Sequence, residues 1–304
     1  MQVATTEKSA DEDALYVLTA ALLTPAQFPS VLGDDFPQAC AALGLPCDER
    51  GYGLVLGQDG AGARWTVVVD DASVVAVAIA AWDCGMEHDL SPREETVIAA
   101  LPGWPLALTV SAPGLPEPHD PAGPAEPLSP PDTGSWGPAQ RRLGADEIAA
   151  QWPAWRAAFD SAEPVTGSGS APQAEGETGA RDPESHPGVE VEGSGGEPSG
   201  AQARDDGAGA APPAVSHPAV RRVLRSLHGY VEQPPPVGRV RSSFAPEGAR
   251  TLRADGPGWS FVARTDDMAF VLLDDEPGTV LPVGRGAALP GLLSALDAGA
   301  VRPV

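Results

Sequence analysis

Between Ala112 and Ser216 the chain loses hydrophobic periodicity, and Pro, Gly, Ser, Glu and Asp dominate. Such a stretch holds too little apolar surface to offset the entropy of ordering a backbone, so it is read as a tether and not as a core. It leaves two flanking segments in a chain of 304 residues, each of about the smallest size that folds alone. The chain contains 35 Gly and 34 Pro, and only 5% of its residues are aromatic. Any core must therefore come chiefly from Val, Leu and Ala. The expectation is an α+β protein of two small antiparallel-sheet lobes with flanking helices. It has an unstructured N-terminus over 1–12, a lobe over 13–112, a disordered acidic Pro/Gly linker over 113–215 carrying a helix at 145–160, and a second lobe over 216–304.

Within the first lobe, residues 14–23 form an apolar run of either helix or strand character. Thr24-Pro25-Ala26-Gln27 has the pattern of a helix start, and a second short helix is expected over 37–43, closed by Gly44. Residues 52–56 and 65–69 flank the turn Gln58-Asp59-Gly60-Ala61-Gly62. With the apolar run 74–80 they predict a three-stranded meander. Ser91-Pro92-Arg93-Glu94 resembles a capping box that opens a helix through Leu101, and 106–110 would add a strand. In the second lobe, Ser216-His217-Pro218 opens a helix with Val220, Val223, Leu224 and Leu227 at helical spacing. Strands are expected over 240–244, 249–252, 258–263, 268–273 and 279–283, and a last helix over 288–298.

The lobes share a spacing. Leu56-x-x-Asp59-Gly60-x-Gly62 precedes Asp70-Asp71, and Leu252-x-x-Asp255-Gly256-x-Gly258 precedes Asp266-Asp267 at the same offset. A strand, a Gly-rich hairpin turn, a strand and an Asp-Asp turn would account for both, as would an internal duplication. Charge separates the lobes. Residues 1–110 carry 4 basic and 16 acidic side chains, a net of −12, whereas residues 217–304 carry 10 and 9, a net of +1. Intramolecular docking of one lobe on the other is electrostatically favoured.

The whole chain has a formal net charge of −23 and a pI near 4.4, which opposes binding to nucleic acid or anionic lipid and favours partners with a basic face. Lys8 is the only lysine, a bias expected of a high-GC bacterial genome. Three cysteines, Cys40, Cys47 and Cys84, together with an N-terminus that lacks a basic region before its apolar stretch, fit a cytoplasmic protein. No segment approaches 18 apolar residues, so no membrane span is expected.

Four groups of residues are candidates for function. Ile148, Trp152, Trp155 and Phe159 recur at helical spacing inside the acidic linker, and large aromatics there need a cover: either their own lobe or a protein partner that takes the helix in a groove. Pro153 must start or kink that helix. Arg221, Arg222 and Arg225 lie along one helix and would contact the acidic lobe, a partner or, more weakly, nucleic acid, though no aromatic ladder accompanies them. Cys84 and His88, beside Glu87, are the nearest approach to a nucleophile and base, with no third member. A zinc site of Cys84, His88 and Cys40 or Cys47 lacks the tight knuckles such sites use, so neither metal nor cofactor is expected. The acid pairs Asp70-Asp71 and Asp266-Asp267 point to opposite faces of a strand and suit turns. These features favour a non-enzymatic bacterial interaction module, a regulator, adaptor or secretion-chaperone-like protein with an unidentified protein partner. The alternative is an enzyme with a site between the lobes near Cys84 and His88.

Overall fold

The computed structural model describes residues 14–161 and 217–303, so the expectations for 1–12 and 162–215 lie outside the described residues. Two antiparallel sheets are present. In the first, β1 (Tyr16–Leu23), β2 (Tyr52–Gln58), β3 (Arg64–Val69) and β4 (Val97–Pro102) are neighbours in chain order. In the second, the same simple order joins β5 (Val240–Phe244), β6 (Arg250–Gly256), β7 (Trp259–Arg264), β8 (Ala269–Leu273) and β9 (Val280–Val283). Among the described residues the helices are α1 (Phe36–Ala42), α2 (Ala72–Asp83), α3 (Pro138–Ala150), α4 (Trp152–Ser161), α5 (Pro218–Glu232) and α6 (Leu289–Gly299). The α+β class and the two antiparallel sheets with flanking helices are as the sequence predicts.

Each sheet buries both faces, which is why its central strands read as unbroken apolar runs. In the first sheet Leu54, Leu56 and Val68 meet Phe36, Ala39 and Cys40 of α1 together with Trp104. The alternate residues Val55, Val67 and Val69 meet Val75 and Ala78 of α2. In the second sheet Leu252, Phe261, Val271 and Leu273 pack under Val223 and Leu227 of α5 and Leu292, Leu293 and Leu296 of α6. The opposite face, with Val262, Phe270 and Leu272, is covered by Ala145 and Ile148 of α3 and Trp152 of α4.

Several local expectations change. Residues 14–23 resolve to a strand, β1. The run 74–80 is part of α2 and not a third strand: the Asp71 carboxylate accepts hydrogen bonds from the backbone N–H groups of Ser73 and Val74, capping the helix. A short apolar run does not by itself distinguish a strand from a buried helix, and here the cap and the alanines decide. Thr24 makes the expected bond, its hydroxyl accepting from the Gln27 N–H at 3.1 Å, but Pro29 follows at once and no helix propagates. The segment expected as a helix from Ser91 is a turn held by Asp89, whose carboxylate accepts from the Ser91 N–H and hydroxyl. A single 3-10 turn over Glu94–Thr96 then leads into β4, as the β-branched sequence Thr96-Val97-Ile98 favours. Residues 106–110 form no regular element, though Leu106 and Leu108 pack on the first core.

Order also continues past residue 112. The fully buried Gln58 side chain accepts from the Ala112 N–H and donates to the carbonyls of Gly62 and Pro116. Arg64 pairs with Asp120, and the Leu128 N–H reaches the Pro102 carbonyl at 2.7 Å. One helix expected at 145–160 is two. The chain breaks at Gln151 and restarts with Pro153 in the first turn of α4, where its missing N–H costs nothing. The two sheets share a meander order but not their connections. α2 intervenes between β3 and β4, whereas β7 and β8 are joined by a tight turn. The matched aspartates differ too: Asp59 caps its own turn and holds the Trp65 indole, whereas Asp255 lies within β6 and is fully buried.

Candidate functional site

The seam between the lobes is built from the loop that joins β1 to α1 and from the entrance to β5. Asp35 caps α1 by accepting from the Gln38 N–H at 2.9 Å, and its other carboxylate oxygen lies 2.8 Å from the Arg239 guanidinium of the second lobe. The Phe36 N–H donates to the Val237 carbonyl at 3.3 Å. Gly238, at φ +83°, sits so close that a Cβ there would stand 2.8 Å from the Phe36 Cβ and 2.9 Å from the Pro25 carbonyl. This position therefore requires glycine on both conformational and steric grounds.

Arg141 of α3 is the centre of the seam and is fully buried. Its Nε lies 2.7 Å from the Asp274 carboxylate, and one terminal nitrogen donates to the Ser260 hydroxyl at 2.5 Å. Its other terminal nitrogen lies 3.0 Å from Asp34 of the first lobe. The Ser260 hydroxyl in turn donates to the Asp255 carboxylate at 2.5 Å. Next to it, Arg142 pairs with Asp34 at 2.5 Å and donates to the Ser30 carbonyl. One turn of one helix thus joins both lobes through charge-assisted bonds, the strong class of hydrogen bond. Burial pushes the Asp255 carboxyl upward, but Arg253, Arg241, Ser260 and Arg141 outweigh it and hold it below the usual carboxylate range.

Beside this network lies a cleft of about 640 Å³. Its floor is the face of β5 and β6 that bears Arg241, Ser243, Thr251 and Arg253, and its walls include Phe28, Ala107, Pro130 and Leu143. Arg241 and Arg253 are direct cross-strand partners. Asp255 lies 3.1 Å from Arg241, Asp146 pairs with Arg253, and the Phe28 ring lies under the Arg241 guanidinium at 4.4 Å. Burial, then the like charge of Arg253, draws the Arg241 guanidinium below its ordinary value.

The aromatic set from the sequence is placed mostly against the second lobe. Ile148 and Trp152 are buried there and Trp155 is partly buried, with Trp152 and Trp155 edge-on to Phe270. Phe159 is exposed, under Arg156. Arg221, Arg222 and Arg225 lie on the outer side of α5, where Arg222 pairs with Asp275 of its own lobe at 3.5 Å. Arg141, Arg142 and Arg239 form ion pairs with the acidic lobe, through Asp34 and Asp35. Cys84 ends α2 and is exposed, and His88 lines a separate hollow beside Trp82. No hydrogen bond joins Cys84 to His88 among the described residues, and neither lines the interlobe cleft. Among the described residues no group of three or more His, Cys, Asp or Glu is placed to hold a metal, and no helix is long and apolar enough to cross a membrane.

Cys40 is buried, and burial, with Cys47 next, raises its thiol to about 12. A thiol reagent at pH 7.5 is expected to label Cys47 and Cys84 at least ~100-fold faster than Cys40, because only the thiolate reacts. Mass mapping of the labelled chain checks this, and comparable rates at all three would contradict the buried placement of α1.

Arg141 and Arg142 escaped the sequence reading because they sit in a Pro/Gly-rich setting. A usable signal was present: Ala145, Ile148 and Trp152 fall at helical spacing, and one turn back along that face is Arg141. The chain was compared with family models, curated proteins and solved structures, and nothing matches it.

Proposed function

We propose that this chain is a non-enzymatic protein-interaction module that takes an extended, apolar segment of a protein partner, flanked by basic residues, onto the outer edge of β4. The observation that carries the proposal is the character of that edge. β4 ends the first sheet, pairs only with β3 over Val97–Leu101 among the described residues, and consists there of Val-Ile-Ala-Ala-Leu without a charge. Edge strands are ordinarily blunted by charge or proline, because their free N–H and C=O groups invite another strand. A bulge opposite Val68 and Val69 accompanies the outward display of Val97 and Ile98, with Ile98 half exposed. Main-chain bonding to such an edge supplies affinity, and alternate side chains supply selectivity.

Charge selects the partner. Exposed Glu94 and Glu95 lead into β4, and the lobe as a whole is strongly acidic, so basic flanks on the incoming segment are steered toward it. The interlobe carboxylates favour a non-catalytic reading: Asp34, Asp35, Asp255 and Asp274 are all committed to arginines, which leaves none of them placed as a free base.

The test is a photo-crosslinking residue at position 98 in the full chain, expressed in its native host. The expected result is a protein adduct whose crosslinked peptide is extended, apolar and basic-flanked, and which is lost in Ala100→Asp. Ile98 and Ala100 are exposed, so Ala100→Asp should change stability by no more than about 0.5 kcal/mol. An adduct that persists in Ala100→Asp, or maps to an acidic or helical segment, overturns the proposal.

A further inference from the structure

We infer that the interlobe cleft is a binding site for a small organic anion: a carboxylate head seated on Arg241 and Arg253, with an apolar body along Phe28, Leu143 and the proline wall. This site is separate from the β4 edge and does not depend on it. Three observations converge. First, two arginines stand directly opposite each other on adjacent strands and both line the cleft, which brings two guanidiniums to one place. Second, Arg253 is only 7% exposed, yet its Nε and one terminal nitrogen have no hydrogen-bond partner, and neither has the Nε of Arg241. The Asp255 carboxylate lies 3.9 Å from that terminal nitrogen, beyond a hydrogen bond. Buried guanidinium N–H groups are costly to leave unpaired, and three of them belong to the two arginines that line the cleft. Third, the cleft has the size and the mixture of walls of a small-molecule site, mostly apolar with a few convergent polar groups. Ser243 and Thr251, directly opposite each other one step along the same strands, extend the polar floor.

The charge already present chooses among anions. Asp255 and Asp146 already offset much of the charge of the two guanidiniums, so what the site offers is hydrogen-bond donors, and a singly charged anion suits it better than a doubly charged one. A phosphate dianion would bring a second negative charge against Asp146. Guanidinium groups bind carboxylates through paired N–H donors, and the apolar walls reward a hydrocarbon body.

The experiment is calorimetric titration of the full-length chain with octanoate, octan-1-ol, octyl phosphate and acetate, repeated on Arg253→Lys and Ala107→Trp. Ala107 is exposed and lines the cleft, so an indole there adds bulk to the cleft while both arginines are kept. The expected result is saturable one-to-one binding of octanoate, at least tenfold tighter than octanol, octyl phosphate or acetate, with loss of at least tenfold in Arg253→Lys. In Ala107→Trp binding should vanish while the melting temperature stays within a few degrees of wild type. Equal binding of octanoate and octanol, tighter binding of octyl phosphate, octanoate binding that survives Ala107→Trp, or no saturable binding of octanoate would each overturn the inference.

Discussion

Replacing Arg141 with methionine is expected to lower the unfolding free energy by about 3–5 kcal/mol, the cost of removing one member of a buried ionic network. The magnitude follows from what stays behind. The side chain is fully buried and serves Asp274, Ser260 and Asp34 at 2.7, 2.5 and 3.0 Å, with Asp255 at 3.8 Å. Methionine fills much of the volume but offers no donor, so the carboxylates keep their desolvation cost and lose their strongest compensation. Asp34 retains Arg142, and Asp255 retains Arg241, which keeps the loss from exceeding that range. The control is Arg222→Ala. That arginine is 54% exposed and pairs with Asp275 at 3.5 Å, and an exposed pair of this kind contributes at most about 1 kcal/mol. Urea unfolding followed by far-ultraviolet circular dichroism measures both. If Arg141→Met costs no more than Arg222→Ala, Arg141 is not the fastener of the seam.

Short periodic runs separated by turn residues made part of both sheets legible: β2, β3 and the strands of the second lobe fall where hydrophobic pattern and Gly-rich turns place them, whereas β1 was open between helix and strand and β4 lay in a segment expected as a helix. Residues 74–80 were not legible as a helix, because a helix buried on one side and built from Val and Ala presents the same apolar run as a central strand. Asp71, as its cap, was the available discriminator. The seam was harder still. Its charge complementarity was visible as a contrast between the lobes, yet the contrast named Arg221, Arg222 and Arg225 because they are clustered. Ion pairs across the seam use Arg141, Arg142 and Arg239, whose partners in the first lobe lie 107 and 108 residues away in the chain for the first two and 204 away, from 239 − 35, for the third. Sequence pattern reports local order well, but such long-range pairs leave no periodic trace. The cleft floor shows the same limit: Arg241 and Arg253 become a pair only once the β5–β6 register is known.

Truncation of Trp152 to alanine is the second large effect expected, a loss of about 3–5 kcal/mol, which is a sizeable share of the ~5–15 kcal/mol that holds an ordinary domain together. Trp152 is 5% exposed, stands edge-on to Phe270 at 5.4 Å between ring centroids, and donates its indole N–H to Asp267 at 3.1 Å. Its removal leaves a cavity over Phe270 and takes one of the two bonds to Asp267, the other coming from Arg156. Because α4 is a short helix that is marginal on its own, part of the cost should be spent in releasing it, uncovering Met268, Phe270 and Trp155. Phe159 supplies the contrast. It shares the helical spacing of Ile148, Trp152 and Trp155 but lies 39% exposed, so Phe159→Ala should stay within about 1 kcal/mol of wild type. Denaturant midpoints for the two variants, with a hydrophobic dye to report uncovering of the sheet face, distinguish the cases. Equal effects at positions 152 and 159 would mean that α4 is not docked on the second sheet in solution, and the aromatic helix would return as a surface for a partner.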